Sequence, residues 1–121
     1  MQLTELAGMS FVDSPPGYGN RMVVDQAFAA AGVERTIALE VVAIGTIPTH
    51  IRRGLGIGFL SRFTLDEIGG SGLATVRIAD YDLRWCLYVA MSAIRPASAA
   101  TRALFSLIEE TIPDRGSSSV R

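Results

Sequence analysis

The sequence predicts an α/β protein, a mostly parallel sheet with helices on both faces. Three observations carry that expectation. Short β-branched or aromatic runs near residues 11–12, 36–42, 57–60, 73–78 and 85–91 alternate with stretches of helical periodicity. The run 36–42 is apolar on both faces, as a strand covered by helices on two sides must be. Glycine and proline punctuate the junctions. Strands that alternate with helices pair in parallel, because each connection must cross over the sheet.

Residues 3–8 form a lead-in to the first strand, Phe11-Val12, which stops at Ser14-Pro15-Pro16-Gly17. Asn20 caps the first expected helix; Val24, Ala27, Phe28 and Ala31 recur at helical spacing, and Gly32 stops it. A second helix begins at Gly45-Thr46 with Pro48 in its first turn. It carries Ile44, Ile47, Ile51 and Leu55 on one face and ends at Gly54. After the short strand 57–60, Thr64-Leu65-Asp66-Glu67 has capping-box spacing for a third helix, closed by Gly69-Gly70. Strands at 73–78 and 85–91 follow. A last helix opens at Arg95-Pro96-Ala97-Ser98, points Leu104, Leu107 and Ile108 inward, and ends at Pro113. Residues 1–112 read as one domain, with 97–112 its C-terminal helix and 113–121 a Ser-rich disordered tail.

Length and charge exclude several functions. A chain of 121 residues is one domain. The run 37–44, interrupted by Glu40, is far too short for a membrane span, and no basic leader precedes an apolar stretch in residues 1–10. A single cysteine, Cys86, fits a reducing compartment, so a cytoplasmic location is expected. Eleven arginines face twelve acidic residues for a net charge of −1, without the basic stripe that duplex binding requires. The chain by itself is not expected to bind DNA.

Catalysis and metal binding find no support. Gly54-Leu55-Gly56-Ile57-Gly58 leaves a helix and enters a strand, the reverse of a dinucleotide fingerprint, and reads as a structural turn. His50 has no nucleophile motif beside it and reads as a solvated or edge residue; Cys86, between Trp85 and Leu87, reads as a small buried thiol. One Cys and one His cannot hold zinc, and no cofactor is implied. Two polar places remain. Asp13-Ser14 ends the first strand and either lines a cleft or shapes an Asx-type turn. Val42, Ala43, Gly45 and Thr46 follow the strand 36–42. There the Thr46 hydroxyl either caps the helix or joins free backbone N–H groups facing an anionic ligand. Both places lie where ligands of open parallel sheets bind, beyond the carboxyl ends of strands.

Several segments carry a family resemblance. Leu3-x-x-Leu6-x-Gly8-x-x-Phe11-Val12, Arg21-x-x-x-Asp25-x-x-Phe28 and Gly32-Val33 resemble the start of the second lobe of LysR-type effector domains. Glu40-Val41, the stretch from Ile51 through Arg52-Arg53-Gly54 to Leu60, and Pro96-x-Ser98-x-Ala100-x-Arg102-Ala103-Leu104-Phe105 resemble later parts of it. Ser61 departs from the pattern, because relatives commonly carry proline there. The resemblance implies one lobe of a periplasmic-binding-protein-like domain that senses a small, often anionic metabolite. In such regulators an N-terminal winged helix-turn-helix binds DNA, the effector lies between two lobes, and the regulatory domains pair as oligomers. It implies effector contacts in the post-strand turn of Val42, Ala43, Gly45 and Thr46. Asp13 and Ser14, which leave the neighbouring strand at the same sheet edge, are expected to supply the facing polar contacts. A lobe of a solute-binding transport protein is the alternative.

Overall fold

The computed structural model describes residues 1–85 and 87–112. They fall into two compact units, Met1–Cys86 and Leu87–Arg121. Cys86 and the tail 113–121, for which a buried thiol and disorder are expected, lie outside the described residues.

In the first unit a 3-10 turn, Leu3–Leu6, leads into strand β1, Ser10–Asp13. Helix α1, Gly19–Ala31, carries the chain across to β2, Thr36–Glu40, which pairs with β1 in parallel. The register runs Ser10↔Thr36 and Phe11↔Ile37, then shifts to Val12↔Leu39 and Asp13↔Glu40. Along the other side of β1, Ile57 forms a parallel bridge with Phe11. Its N–H donates to the Ser10 carbonyl at 2.9 Å, and its carbonyl accepts from Val12 N–H at 2.8 Å. β1 is therefore central. Glycine makes that approach possible: a Cβ on Gly56, whose φ is +147°, would stand 2.4 Å from the Ser10 oxygen. A Cβ on Gly58 would stand 2.9 Å from the Val12 oxygen, so the glycine run is the structural turn expected of it.

Side chains of β1 alternate between two cores. Phe11 packs with Phe28 of α1 and with Phe59, ring centroids 5.5 and 6.0 Å away, inside a cluster that includes Leu3, Leu6, Val24 and Ala27. Val12 faces the other way, toward helix α2, Ile47–Arg52, whose Ile47 is fully buried. Helices thus cover both faces of β1, as expected. β2 does not match its expectation of burial on both faces: Thr36, Ala38 and Glu40 are exposed, and only Ile37 and Leu39 turn inward. Every buried residue among those described lies between Leu3 and Pro48.

Other boundaries moved for local reasons. α1 starts at Gly19 after Tyr18, whose side chain makes no cap; the Asn20 side chain reaches back to Ser14 instead of capping. α1 stops at Gly32 in the left-handed region, φ 66°, as predicted. A 3-10 turn, Ile44–Thr46, precedes the six residues of α2, and Gly54 follows them. Helix α3, Arg62–Ile68, begins two residues before Thr64 because the Ser61 hydroxyl accepts from Thr64 N–H at 3.1 Å. The serine that departs from the family pattern is thus the N-cap.

Strands expected at 73–78 and 85–91 are absent among the described residues. A β-prone run becomes a strand only where a neighbour completes its ladder. Among the described residues of the second unit the one regular element is helix α4, Ala99–Thr111, capped by Ser98, whose Oγ accepts from Thr101 N–H. Leu104 and Leu107, expected inward, are 58% and 57% exposed, while Ile108 is half-buried. Among the described residues, no helix is long and apolar enough to cross a membrane.

Candidate ligand face at the ends of β1 and β2

The carboxyl ends of β1 and β2 lie side by side, since Asp13 pairs in register with Glu40 and Val41 N–H donates to the Asp13 carbonyl at 2.9 Å. The parallel sheet therefore delivers both expected polar places, Asp13-Ser14 and the turn 42–46, to one edge. Their surroundings differ. Asp13 and Ser14 are 2% and 0% exposed; Val42 is 69% exposed, and Ala43, Gly45 and Thr46 lie open beside it.

The Asp13 carboxylate sits in a charge network. Its Oδ2 accepts from Arg35 Nη1 at 2.8 Å and lies 3.9 Å from Arg21 Nε, while Oδ1 accepts from Ser14 N–H at 2.7 Å. The last bond is the Asx-like local contact weighed from the sequence. Arg35 also pairs with Asp25, and its guanidinium lies 5.2 and 5.1 Å from the ring centroids of Phe11 and Phe28. Arg21 donates to Asp25 Oδ2 at 2.7 Å, to the Ser14 carbonyl at 2.9 Å and to Glu40 Oε1 at 3.3 Å. Burial alone pulls the Arg21 pKa down; the hydrogen bond and charge of Asp25, then Glu40 and Asp13, outweigh it and raise the pKa above its usual value. Arg21 is a permanent cation, and the two guanidiniums with three carboxylates form a structural brace behind Ser14.

Ser14 is the polar group in front of that brace. Its Oγ accepts from Asn20 Nδ2 at 2.9 Å, which fixes the first turn of α1 beside it. The backbone N–H groups of Gly19, Asn20 and Arg21 have no partner among the described residues, because Tyr18 supplies no side-chain cap. Asn20 Oδ1 is buried and also unpartnered. The indole of Trp85 lies against Gly19, where an added Cβ would stand 2.5 Å from Nε1. Sequence reasoning missed Gly19 and Trp85 and read Asn20 as the helix cap instead. The structure starts the helix at Gly19, which leaves Tyr18 at the capping position where Asn20 was expected.

The turn 42–46 offers less than expected. Thr46 N–H and Thr46 Oγ1 both donate to the Ala43 carbonyl, at 2.8 and 2.7 Å, and Ile47 N–H donates to Ile44 O. Of the backbone N–H groups of residues 45–47 in this turn, only that of Gly45 is unpaired among the described residues. The Thr46 hydroxyl closes its own turn.

Two other features lie off this face. His50, expected at a solvated edge, is half-buried with its Nδ1 sealed and unpartnered. An apolar groove of about 250 Å³ runs past Leu6, Met9, Ile51, Ile57, Leu65 and Val76, and none of the six expected effector contacts lines it. Among the described residues, no group of three His, Cys, Asp or Glu could hold a metal ion.

A parallel sheet with helices on both faces of its central strand and a polar edge at its strand ends is an α/β lobe of the kind whose ligands sit beyond the carboxyl ends of the strands. The LysR substrate binding domain matches residues 1–113, and the chain belongs to that family, whose domains are periplasmic-binding-protein-like. The chain is also similar to the phosphonates import ATP-binding protein PhnC of Anaeromyxobacter dehalogenans (strain 2CP-C), 28% identical over 106 residues. That match covers 84% of this chain and 21% of the relative, so the chain spans about a fifth of the relative's length.

Proposed function

We propose that this chain is the effector-sensing lobe of a LysR-type transcription regulator, without catalytic activity of its own. A small metabolite with an acidic group seats against Ser14, the first turn of α1 and the turn formed by Val42, Ala43, Gly45 and Thr46. The observation that carries this reading is the set of unpartnered N–H groups at residues 19–21, held beside the buried Ser14 hydroxyl. Such groups carry partial positive charge and favour an anion by about 0.3–1 kcal/mol where exposed. Asp13 stands behind the ligand face as its support. Effector occupancy modulates DNA binding by a domain outside this chain, in a cytoplasmic homo-oligomer.

A solute-binding lobe is the second reading, favoured by the import function in the relative's name. The segment encoded in frame ahead of residue 1 separates the two: a helix-turn-helix supports regulation, a secretion leader supports transport.

Trp85 is the sole tryptophan and lies against Gly19, so its emission reports on the ligand face. Titration with methylphosphonate or inorganic phosphate is expected to give a saturable change in the millimolar range, weak because one lobe leaves much of a ligand wet. Ser14→Val is expected to remove that change. A flat titration, or an unchanged response in Ser14→Val, removes this face from the reading.

A further inference from the structure

The two halves of the ligand face belong to different strands, and three elements meet there: the end of β1, the end of β2 and the first turn of α1. One side chain touches all three. Arg21, the third residue of α1, is 12% exposed; Nη1 binds the Ser14 carbonyl and Glu40 Oε1, while Nε holds Asp25 one helical turn along. Ser14 is therefore gripped from both sides, its N–H by Asp13 and its carbonyl by Arg21. The planar guanidinium has its donors in a fixed fork, so holding one acceptor sets the direction to the others.

We propose that Arg21 is the positioning residue of this ligand face, locking Ser14, the α1 first turn and the β2 end in the arrangement a ligand meets. The proposal rests on the reading that this face binds the effector. Arg21 contributes geometry, and its charge is already matched by Asp25, Glu40 and Asp13. A preorganised face avoids ordering its donors at the moment of binding, which is where affinity is otherwise lost. Nε and Nη1 of Arg21 are both committed to protein acceptors, which is what a positioning residue requires.

Arg21→Gln and Arg21→Lys in the full chain test this with two readouts. The first needs no ligand: amide hydrogen exchange at Ser14 and Val41 and the Asn20 side-chain amide signals. Arg21→Gln is expected to speed exchange at both amides about tenfold or more and to shift the Asn20 signals, from loss of charged hydrogen bonds. Arg21→Lys, which keeps the charge and reaches fewer acceptors, is expected to recover part of the protection. The second readout is inorganic phosphate binding by Trp85 emission, at a temperature where all three proteins are folded. The dissociation constant is expected to rise several-fold in Arg21→Gln and by less in Arg21→Lys. Unchanged exchange in Arg21→Gln, or full phosphate affinity in either variant, overturns the proposal. If phosphate binds none of the three proteins, the anion reading of the face fails. A tenfold rise in exchange that lysine partly reverses then still upholds the positioning role.

Discussion

Asp13→Asn separates a carboxylate that supports the proposed ligand face from one that would contact a ligand there. The native group is 2% exposed and its partner Arg35 has a 4% exposed side chain, so the pair is sealed from water. Removing one partner of a buried ion pair costs about 3–5 kcal/mol, because the other charge stays behind without compensation. Here Arg35 would keep Asp25 and its two phenylalanine faces, while its Nε already lacks a partner. The amide preserves volume and an acceptor for Ser14 N–H. These residual contacts place the expected loss near the low end, about 3 kcal/mol. Domain stabilities are about 5–15 kcal/mol, so the loss is a large fraction and lowers the melting temperature by about 10 °C. Thermal and urea unfolding followed by far-ultraviolet circular dichroism measure it. The paired replacement Asp13→Leu with Arg35→Met removes both charges and is expected to recover most of the stability. A loss below about 1 kcal/mol in Asp13→Asn would refute the reasoning and return Asp13 to the ligand contacts.

Two further outcomes test the fold and the proposed self-association. Gly56→Ala forces a Cβ against the Ser10 oxygen at a backbone angle that suits glycine, and is expected to cost about 2–4 kcal/mol; urea unfolding within 0.5 kcal/mol of the unaltered chain, about the scatter of a neutral surface change, would show that the 57–60 segment slides freely. Leu107→Glu places a charge on the exposed apolar stripe of α4 and is expected to weaken self-association in sedimentation velocity, whereas an unchanged distribution would remove that stripe from the oligomer contact.

How legible the molecule was depended on the sequence distance over which each decision is made. β1, α1 with its Gly32 stop, and β2 were readable because strand and helix periodicities and a left-handed glycine are local signals. Runs 73–78 and 85–91 have the composition of strands, but strand formation is settled by a neighbour that composition does not reveal. The candidate ligand face was half legible. That Ser14 and the turn 42–46 share an edge followed from parallel topology, whereas the role of Asp13 depended on Arg35, twenty-two residues on, and on Arg21 from the next helix. Gly19 and Asn20 were hidden for a related reason. Asn20 looked like a cap, and only its bond to Ser14 shows that the helix start is left open.

The crowding of buried residues into the stretch from Leu3 to Pro48 has a consequence for biosynthesis. Chains leave the ribosome amino end first, and domains generally condense in that order. Here β1, α1, β2 and Ile47 emerge early, with only the 57–59 segment needed to flank the central strand and complete the aromatic cluster. The buried residues among those described thus all precede residue 49, while Ile78, Tyr81 and Leu83 pack on that cluster as partly buried cover. Leu104 and Leu107 of α4 follow that core in the chain and stay exposed, so their apolar surface is free to meet another surface once it is made.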